Sequence, residues 1–283
     1  MIARRALLGA LAASAGSLLA PCALQAAPLA KVKEQGRLRI AVYQDNRPWS
    51  WADGAGLHGI DVDLGKALAA QLGVAAEVVD FMPGDDLAAD LRNTVWRGGL
   101  LGFQPCDVML HVPFDHELQL ANDQVAILAP YCREGFAMLC GSDVDCEAPP
   151  PHFRGLRLAA ETASASDAYL LGAFGGVLRG DVHHFRNGYD AAAAVGSGQA
   201  DMAMATAAQV EAASHDATAS LHRRRGPLPA MSSPGWDVAM AVKENSRTLG
   251  DALENIIGKM VANGQMAALF AAHGVSWKAA LAG

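Results

Sequence analysis

The sequence predicts an α/β protein of two lobes. Short β-branched apolar runs alternate with helical patterns along most of the chain. Two Pro/Gly-rich breaks, near Pro149 and Pro227, divide it unequally, and a strand and two helices return after the second. A chain of 283 residues suits one large or two modest domains. With 52% hydrophobic and 18% charged residues it can bury a core, which excludes a disordered or fibrous protein. Lys and Arg total 22 against 29 acids, a formal charge of −7, which argues against a nucleic-acid partner.

Element by element, residues 38–42 alternate as a strand and end in a polar, aromatic loop over 43–51. Gly59-Ile60-Asp61-Val62-Asp63-Leu64 opens a helix in which Leu64, Leu68 and Leu72 recur every four residues, with Gly73 as its stop. A strand over 74–79, a helix over 87–95 and a strand over 107–111 complete a parallel α/β pattern. Residues 125–128 and 135–139 read as two strands flanking Ala129-Pro130-Tyr131. Beyond three successive prolines come a strand (156–160), a helix (166–174), a strand (182–185), a helix (191–198) and a strand (201–205). After the loop 223–229 come a strand over 238–242, a helix marked by Leu249, Leu253, Ile257 and Met260, and a last helix over 266–272.

The first 26 residues read as a cleavable export signal: Arg4-Arg5, a 15-residue apolar stretch, then Leu24-Gln25-Ala26. The stretch is short for a spanning helix, which needs roughly 20 residues. Arg4-Arg5 also fits a twin-arginine signal, and Leu19-Ala20-Pro21-Cys22 faintly resembles a lipoprotein box in which Pro21 is out of place. The expected location is the periplasm, and the processed chain carries −9. Four cysteines then remain, an even number in an oxidising compartment. Cys140 and Cys146 enclose a turn-like Gly-Ser-Asp-Val-Asp and are the first choice for a disulfide; Cys106 with Cys132 follows by elimination, unless Cys106 is a buried free thiol.

The segment 59–72 resembles the signature of the bacterial extracellular solute-binding proteins of family 3, the receptors of ABC importers. Phe153-Arg154-Gly155-Leu156-Arg157-Leu158, Gly198-Gln199-Ala200-Asp201-Met202-Ala203, and the stretch from Gly264-Gln265-Met266 to His273-Gly274-Val275 are similar to its later motifs, in family order. The resemblance implies a two-lobed periplasmic-binding-protein fold of type II, each lobe a mostly parallel sheet flanked by helices, joined by a double-crossover hinge. Lobe one would span 27–131 plus 229–283 and lobe two 132–228. The ligand would lie between them, at strand ends and helix N-termini.

The chain departs from that family's amino-acid receptors at both charged clamps. No Arg occurs in 111–121 to hold a ligand carboxylate, and Thr206 stands where an Asp would hold the amine. The expected ligand is therefore a small molecule other than a standard amino acid, since two unpaired buried charges cost several kcal/mol. Arg92-Asn93-Thr94, Cys106-Asp107-Val108-Met109-Leu110-His111-Val112-Pro113 and Asn46-Arg47-Pro48-Trp49-Ser50 resemble the branch found beside quinoprotein alcohol dehydrogenases, with His111 replacing the usual glycine. That implies either an ABC permease or a periplasmic quinoprotein dehydrogenase and its cytochrome c as partner, in methanol or alcohol oxidation, and a monomer.

Family position nominates Asp45, Trp49, Asp61, His111, Tyr131, Glu134, Thr162 and Thr206 for the cleft. Ser164 joins Thr162 just before a helix, where hydroxyls and N–H groups hold a polar ligand end. Trp51, Phe114 and Trp236, with Tyr43, would make the cleft aromatic. His111, Asp115 and His116 suit a polar loop better than a metal site, because no further ligand has the right spacing. Arg223-Arg224-Arg225 reads as a solvated loop. G-x-S-x-G, H-E-x-x-H and P-loop motifs are absent, and Gly172-Ala173-Phe174-Gly175-Gly176 follows no strand, so no cofactor or metal is expected. The expectation is a non-catalytic binder; the alternative is a cyclohexadienyl-type dehydratase using Glu134, Glu161 or Asp115.

Overall fold

A computed structural model describes residues 28–99, 102–233 and 235–282, so the expected export signal with Cys22 lies outside the described residues. Helix α1 (Pro28–Gln35) leads into β1 (Arg37–Tyr43), and after the loop expected over 43–51 comes a hairpin, β2 (Trp51–Asp53) and β3 (Gly56–His58). Helix α2 (Ile60–Leu72) is closed by Gly73 in the left-handed region, as its spacing of leucines requires. Then come β4 (Ala75–Phe81), α3 (Leu87–Leu91) with a π-helical turn over Arg92–Trp96, β5 (Val108–Pro113), α4 (His116–Ala121) and β6 (Val125–Glu134).

The second lobe holds β7 (Phe136–Gly141), β8 (Leu158–Glu161), α5 (Ala165–Gly176), β9 (Val182–Phe185), α6 (Gly188–Gly196), β10 (Met202–Thr206), α7 (Ala207–Asp216) and β11 (Leu221–Arg223). The chain returns through β12 (Trp236–Lys243), α8 (Arg247–Ala262) and α9 (Gln265–Ala271). No helix among the described residues is long and apolar enough to cross a membrane.

Each lobe is built on one five-stranded sheet, ordered β4-β1-β5-β12-β6 and β9-β8-β10-β7-β11. In both, the fourth strand alone runs against the rest. Those two strands, β12 and β7, are the ones that have just crossed from the other lobe. The crossings fall later than the expected 131/132 and 228/229. β6 continues to Glu134, and Leu228 and Met231 still pack on the second lobe's core. The two passages meet at Gly135 and Gly235, where a Cβ on Gly235 would stand 2.3 Å from the Glu134 carbonyl oxygen.

Of the two strands expected around Ala129-Pro130-Tyr131, the one over 135–139 is β7, and the one over 125–128 runs on through those residues as β6. Ala129 takes a positive φ of 52° and the register against β12 shifts there; as the edge of its sheet, β6 tolerates Pro130. The first sheet has apolar side chains on both faces. Val42, Leu110 and Met240 face α2, α8 and α9, whereas Ala41, Met109 and Ala239 pack with Leu91 and Val95.

Cys140 and Cys146 form a disulfide closing the 141–145 loop. Cys106 and Cys132 do not pair: both are buried free thiols. The reason is topological, since Cys106 lies in the core on one face of the first sheet and Cys132 in the core on the other.

Candidate ligand cleft

Parallel strands of both lobes end at one place. The ends of β1, β4 and β5 bring Tyr43, Asp45, Met82 and His111; the ends of β8 and β9 bring Glu161, Arg186 and Asn187. Between them lies a cavity of about 600 Å³, large enough for a small organic molecule. A larger groove of about 1140 Å³ runs beside the hinge, along edge strand β11 and the disulfide loop. It touches none of β1, β4, β5, β8 and β9, the parallel strands of the two lobes that meet at the smaller cavity, so that cavity is the candidate site.

His111 forms the inner wall. Its backbone is left-handed, φ 63°, a conformation that costs a residue with a side chain roughly 1–2 kcal/mol. The imidazole lies 4.5 Å from the Trp49 ring, and its Nδ1 is 3.2 Å from Oδ2 of Asp61. Asp61 is fully buried at the start of α2; its Oδ1 accepts from the Tyr131 hydroxyl at 2.7 Å, and that hydroxyl accepts from the His111 backbone N–H at 3.1 Å. Burial, then the charge of Asp61, pushes the Tyr131 phenol far up, so it stays a donor. Tyr43 is held similarly: its hydroxyl donates to Asp90 at 2.9 Å, while Asp90 also accepts the Gly84 N–H at 2.7 Å and so pins the turn carrying Met82.

Charges on the outer walls are unevenly matched. Asp45, itself left-handed at φ 58°, forms an ion pair across the cleft with Arg186. Glu161 sits half-buried at the end of β8; burial pushes its carboxyl pKa up, the Gly188 N–H opposes that, and the Asp45 charge adds to it. A second bridge stands beside the cavity. Arg47 lies over the rings of Trp51 in lobe one (4.9 Å) and Tyr189 in lobe two (4.2 Å), and pairs with Asp216 of α7 at 2.8 Å.

Of the nominated residues, Tyr43, Asp45 and His111 line the cavity, and Asp61 and Tyr131 stand behind His111, Tyr131 accepting its backbone N–H. Trp49 is a correction: only 2% exposed, it packs against His111 and Phe270 in the core, because the Asn46–Ser50 bridge folds the loop inward. Trp51 turns to Arg47 and His273, and Phe114 is exposed outside the cavity. Glu134 is a hinge residue, accepting N–H bonds from Gly135, Ala207 and Ala208. Its carboxyl is pushed up by burial, which those bonds partly offset.

Thr162 donates to the Phe185 carbonyl, Ser164 caps α5, and Thr206 stands at the N-cap of α7 with its N–H donating to Gln209. Trp236 packs on Phe136 at the hinge. None of these four lines the cavity. Asp115 caps α4 through the Leu118 N–H, and no metal-holding group of three occurs among the described residues. Arg224 donates to the carbonyls of Cys146 and Ala148, so the triple-arginine loop is partly structural. Arg186 and Asn187 were missed, because only the pairing of Glu161 with Phe185 between β8 and β9 sets them beside the cavity.

The family model for bacterial extracellular solute-binding proteins, family 3, matches residues 38–96, from β1 through the π-helical turn. Comparison with curated proteins finds no match. Among solved structures, an ancestral cationic amino acid solute binding protein (AncCDT-1) superposes with a TM-score of 0.68 at 21% identity, over 87% of this chain and 99% of that one. A second AncCDT-1 structure, described as a precursor of cyclohexadienyl dehydratase, gives 0.61 at 20%, over 88% and 100%. An amino acid ABC transporter substrate-binding protein from Streptococcus pneumoniae bound to L-arginine gives 0.65 at 17%, over 88% and 98%. Two mixed sheets flanked by helices and joined by a double crossover are thus the two-lobed periplasmic-binding-protein fold of type II.

Proposed function

We propose that this chain is a periplasmic solute-binding protein of the family-3 type, a monomer that captures a small polar molecule between its lobes and hands it on unchanged. The observation that carries this reading is the cavity at the strand ends of both lobes, which a double crossover at Gly135 and Gly235 joins. A plain α-amino acid fits poorly. Arg186, the cavity's arginine, is engaged by Asp45, and neither β5 nor Thr206 supplies the expected clamps. Binding without turnover also suits the three acids considered for a dehydratase. Glu134 is spent on hinge N–H groups and Asp115 on a helix cap, which leaves only Glu161 facing the cavity.

The recipient is an ABC permease in the principal reading. The resemblance of 46–50 and 106–113 to the quinoprotein-associated branch supports a second, in which the protein serves a periplasmic quinoprotein dehydrogenase. Native mass spectrometry of protein released gently from its own periplasm, compared with the denatured mass, separates them. A small adduct lost on denaturation means a carrier. An empty protein co-purifying with a dehydrogenase or cytochrome c would overturn the transport reading.

A further inference from the structure

We infer that the cavity selects a small organic cation bearing a hydroxyl group, an amino alcohol without a carboxylate, with Glu161 taking the cation and His111 the hydroxyl. This rests on the binding-protein reading and names the chemistry of its site. The reasoning is a matching of charges around the walls. Asp45 and Arg186 satisfy each other, and Arg186 is 76% exposed, at the rim. His111 and Asp61 form a second pair behind the wall. Glu161 is left: it accepts the Gly188 N–H, but among the described residues no Lys, Arg or His pairs with it, and the charged neighbour it feels is another carboxylate, Asp45. A half-buried carboxylate facing another across a cavity is completed by a cation and repelled by an anion. Its raised pKa agrees with that placement.

His111 supplies the second requirement by independent geometry. Nδ1 lies 3.2 Å from Oδ2 of Asp61, within ion-pair distance though without hydrogen-bond geometry, and among the described residues no hydrogen bond forms at Nε2. The ring reaches this position only through a left-handed backbone that a glycine would adopt freely. A neutral imidazole held this way presents an acceptor and a protonated one a donor. A hydroxyl, which both donates and accepts, suits either state. Tyr43, Met82 and Pro83 then cover the hydrocarbon between the two ends.

The test is calorimetric titration of the full protein, freed of carried-over ligand, with four matched four-carbon probes: 4-aminobutan-1-ol, butylamine, 4-hydroxybutyrate and 4-aminobutyrate. The amino alcohol is expected to bind about tenfold or more tightly than either carboxylate, and about threefold more tightly than butylamine. Glu161→Gln should remove the preference for the cation and leave the thermal midpoint unchanged or raised. His111→Ala should remove the preference for the hydroxyl alone. Tighter binding of either carboxylate, or an unaltered preference in both variants, overturns the inference while leaving a binding protein. Failure of all four probes, with no adduct in the native mass, overturns the binding-protein reading itself.

Discussion

Replacing Gly59 by alanine should cost this protein more than any other single methyl group added to its first lobe. Gly59 precedes α2 with φ 127° and ψ 172°, a region that residues with side chains enter at about 1–3 kcal/mol. The added Cβ would stand 2.2 Å from the Trp49 carbonyl oxygen, 2.5 Å from its carbon and 2.9 Å from Ser50 Cα. These are backbone atoms of a loop tied down by the Asp61 N–H to Trp49 carbonyl bond at 2.9 Å, so no flexible side chain can yield. Overpacking of that kind adds about 1–3 kcal/mol, for a total of about 2–6. The control is Gly73→Ala, also at a positive φ of 74° but with nothing within 4 Å of the new Cβ, expected to cost about 1–2 kcal/mol. Urea unfolding of the three proteins measures the difference. Equal losses in the two variants would refute the argument that contact with the 49–50 backbone, rather than the dihedral alone, makes residue 59 a glycine.

Five further outcomes follow from the same geometry. Arg47→Ala removes a stacked and ion-paired bridge between the lobes, worth about 1–2 kcal/mol after discounting the ion pair for its exposure; small-angle scattering should show a larger radius of gyration, and an unchanged one would mean the bridge does not hold the lobes. Binding of an amine probe should weaken on acidification at a pH above the ordinary glutamate value of 4.5, because burial raises Glu161 and only its ionised form attracts a cation. By linkage, unliganded protein should lose stability as pH rises from 4.5 through that raised value, and Glu161→Gln should abolish this decline, with Asp45, Arg186, His111 and Asp61 still present as background. Replacing Cys140 and Cys146 by serine opens a link between positions six apart in sequence, an expected loss of about 2 kcal/mol measurable by urea unfolding, and Cys106 and Cys132, their thiols pushed up by burial, should resist alkylation until the protein is unfolded.

The elements legible in the sequence were those whose pattern is local. The α2 leucines, all on one face and stopped by Gly73, needed no tertiary information. Helix α7 escaped notice because its buried face is Ala208, Val210, Ala212 and Ala213, too small to stand out against its alanine-rich flanks. Helix α4 buries no residue at all, so it carries no apolar stripe to read. The site divided the same way. Asp45 and His111 follow strands visible in the sequence, whereas Arg186 reaches the cavity only through the parallel register of β8 and β9. Trp49 was misread because an aromatic residue in a polar loop suggests exposure, and nothing nearby in sequence announces Phe270 as its packing partner.

The segment that most resembles a family signature also connects the parts of the site. Gly59 lets the chain pass close under Trp49, Trp49 backs the His111 ring, and Asp61 stands 3.2 Å from that ring's Nδ1 while accepting from Tyr131 on β6. Three residues beyond Tyr131 stands Glu134, whose carboxylate holds the first N–H groups of α7 in the other lobe. One continuous strand therefore joins the inner wall of the cavity to the hinge. On the proposed binding reading, a ligand that shifted His111 would act on Tyr131, and through β6 on the Glu134 contacts with the other lobe. Substituting Tyr131 by Phe removes the hydroxyl that receives the His111 N–H and donates to Asp61, and leaves the ring's packing in place. That change should uncouple ligand binding from lobe movement more than it weakens the fold.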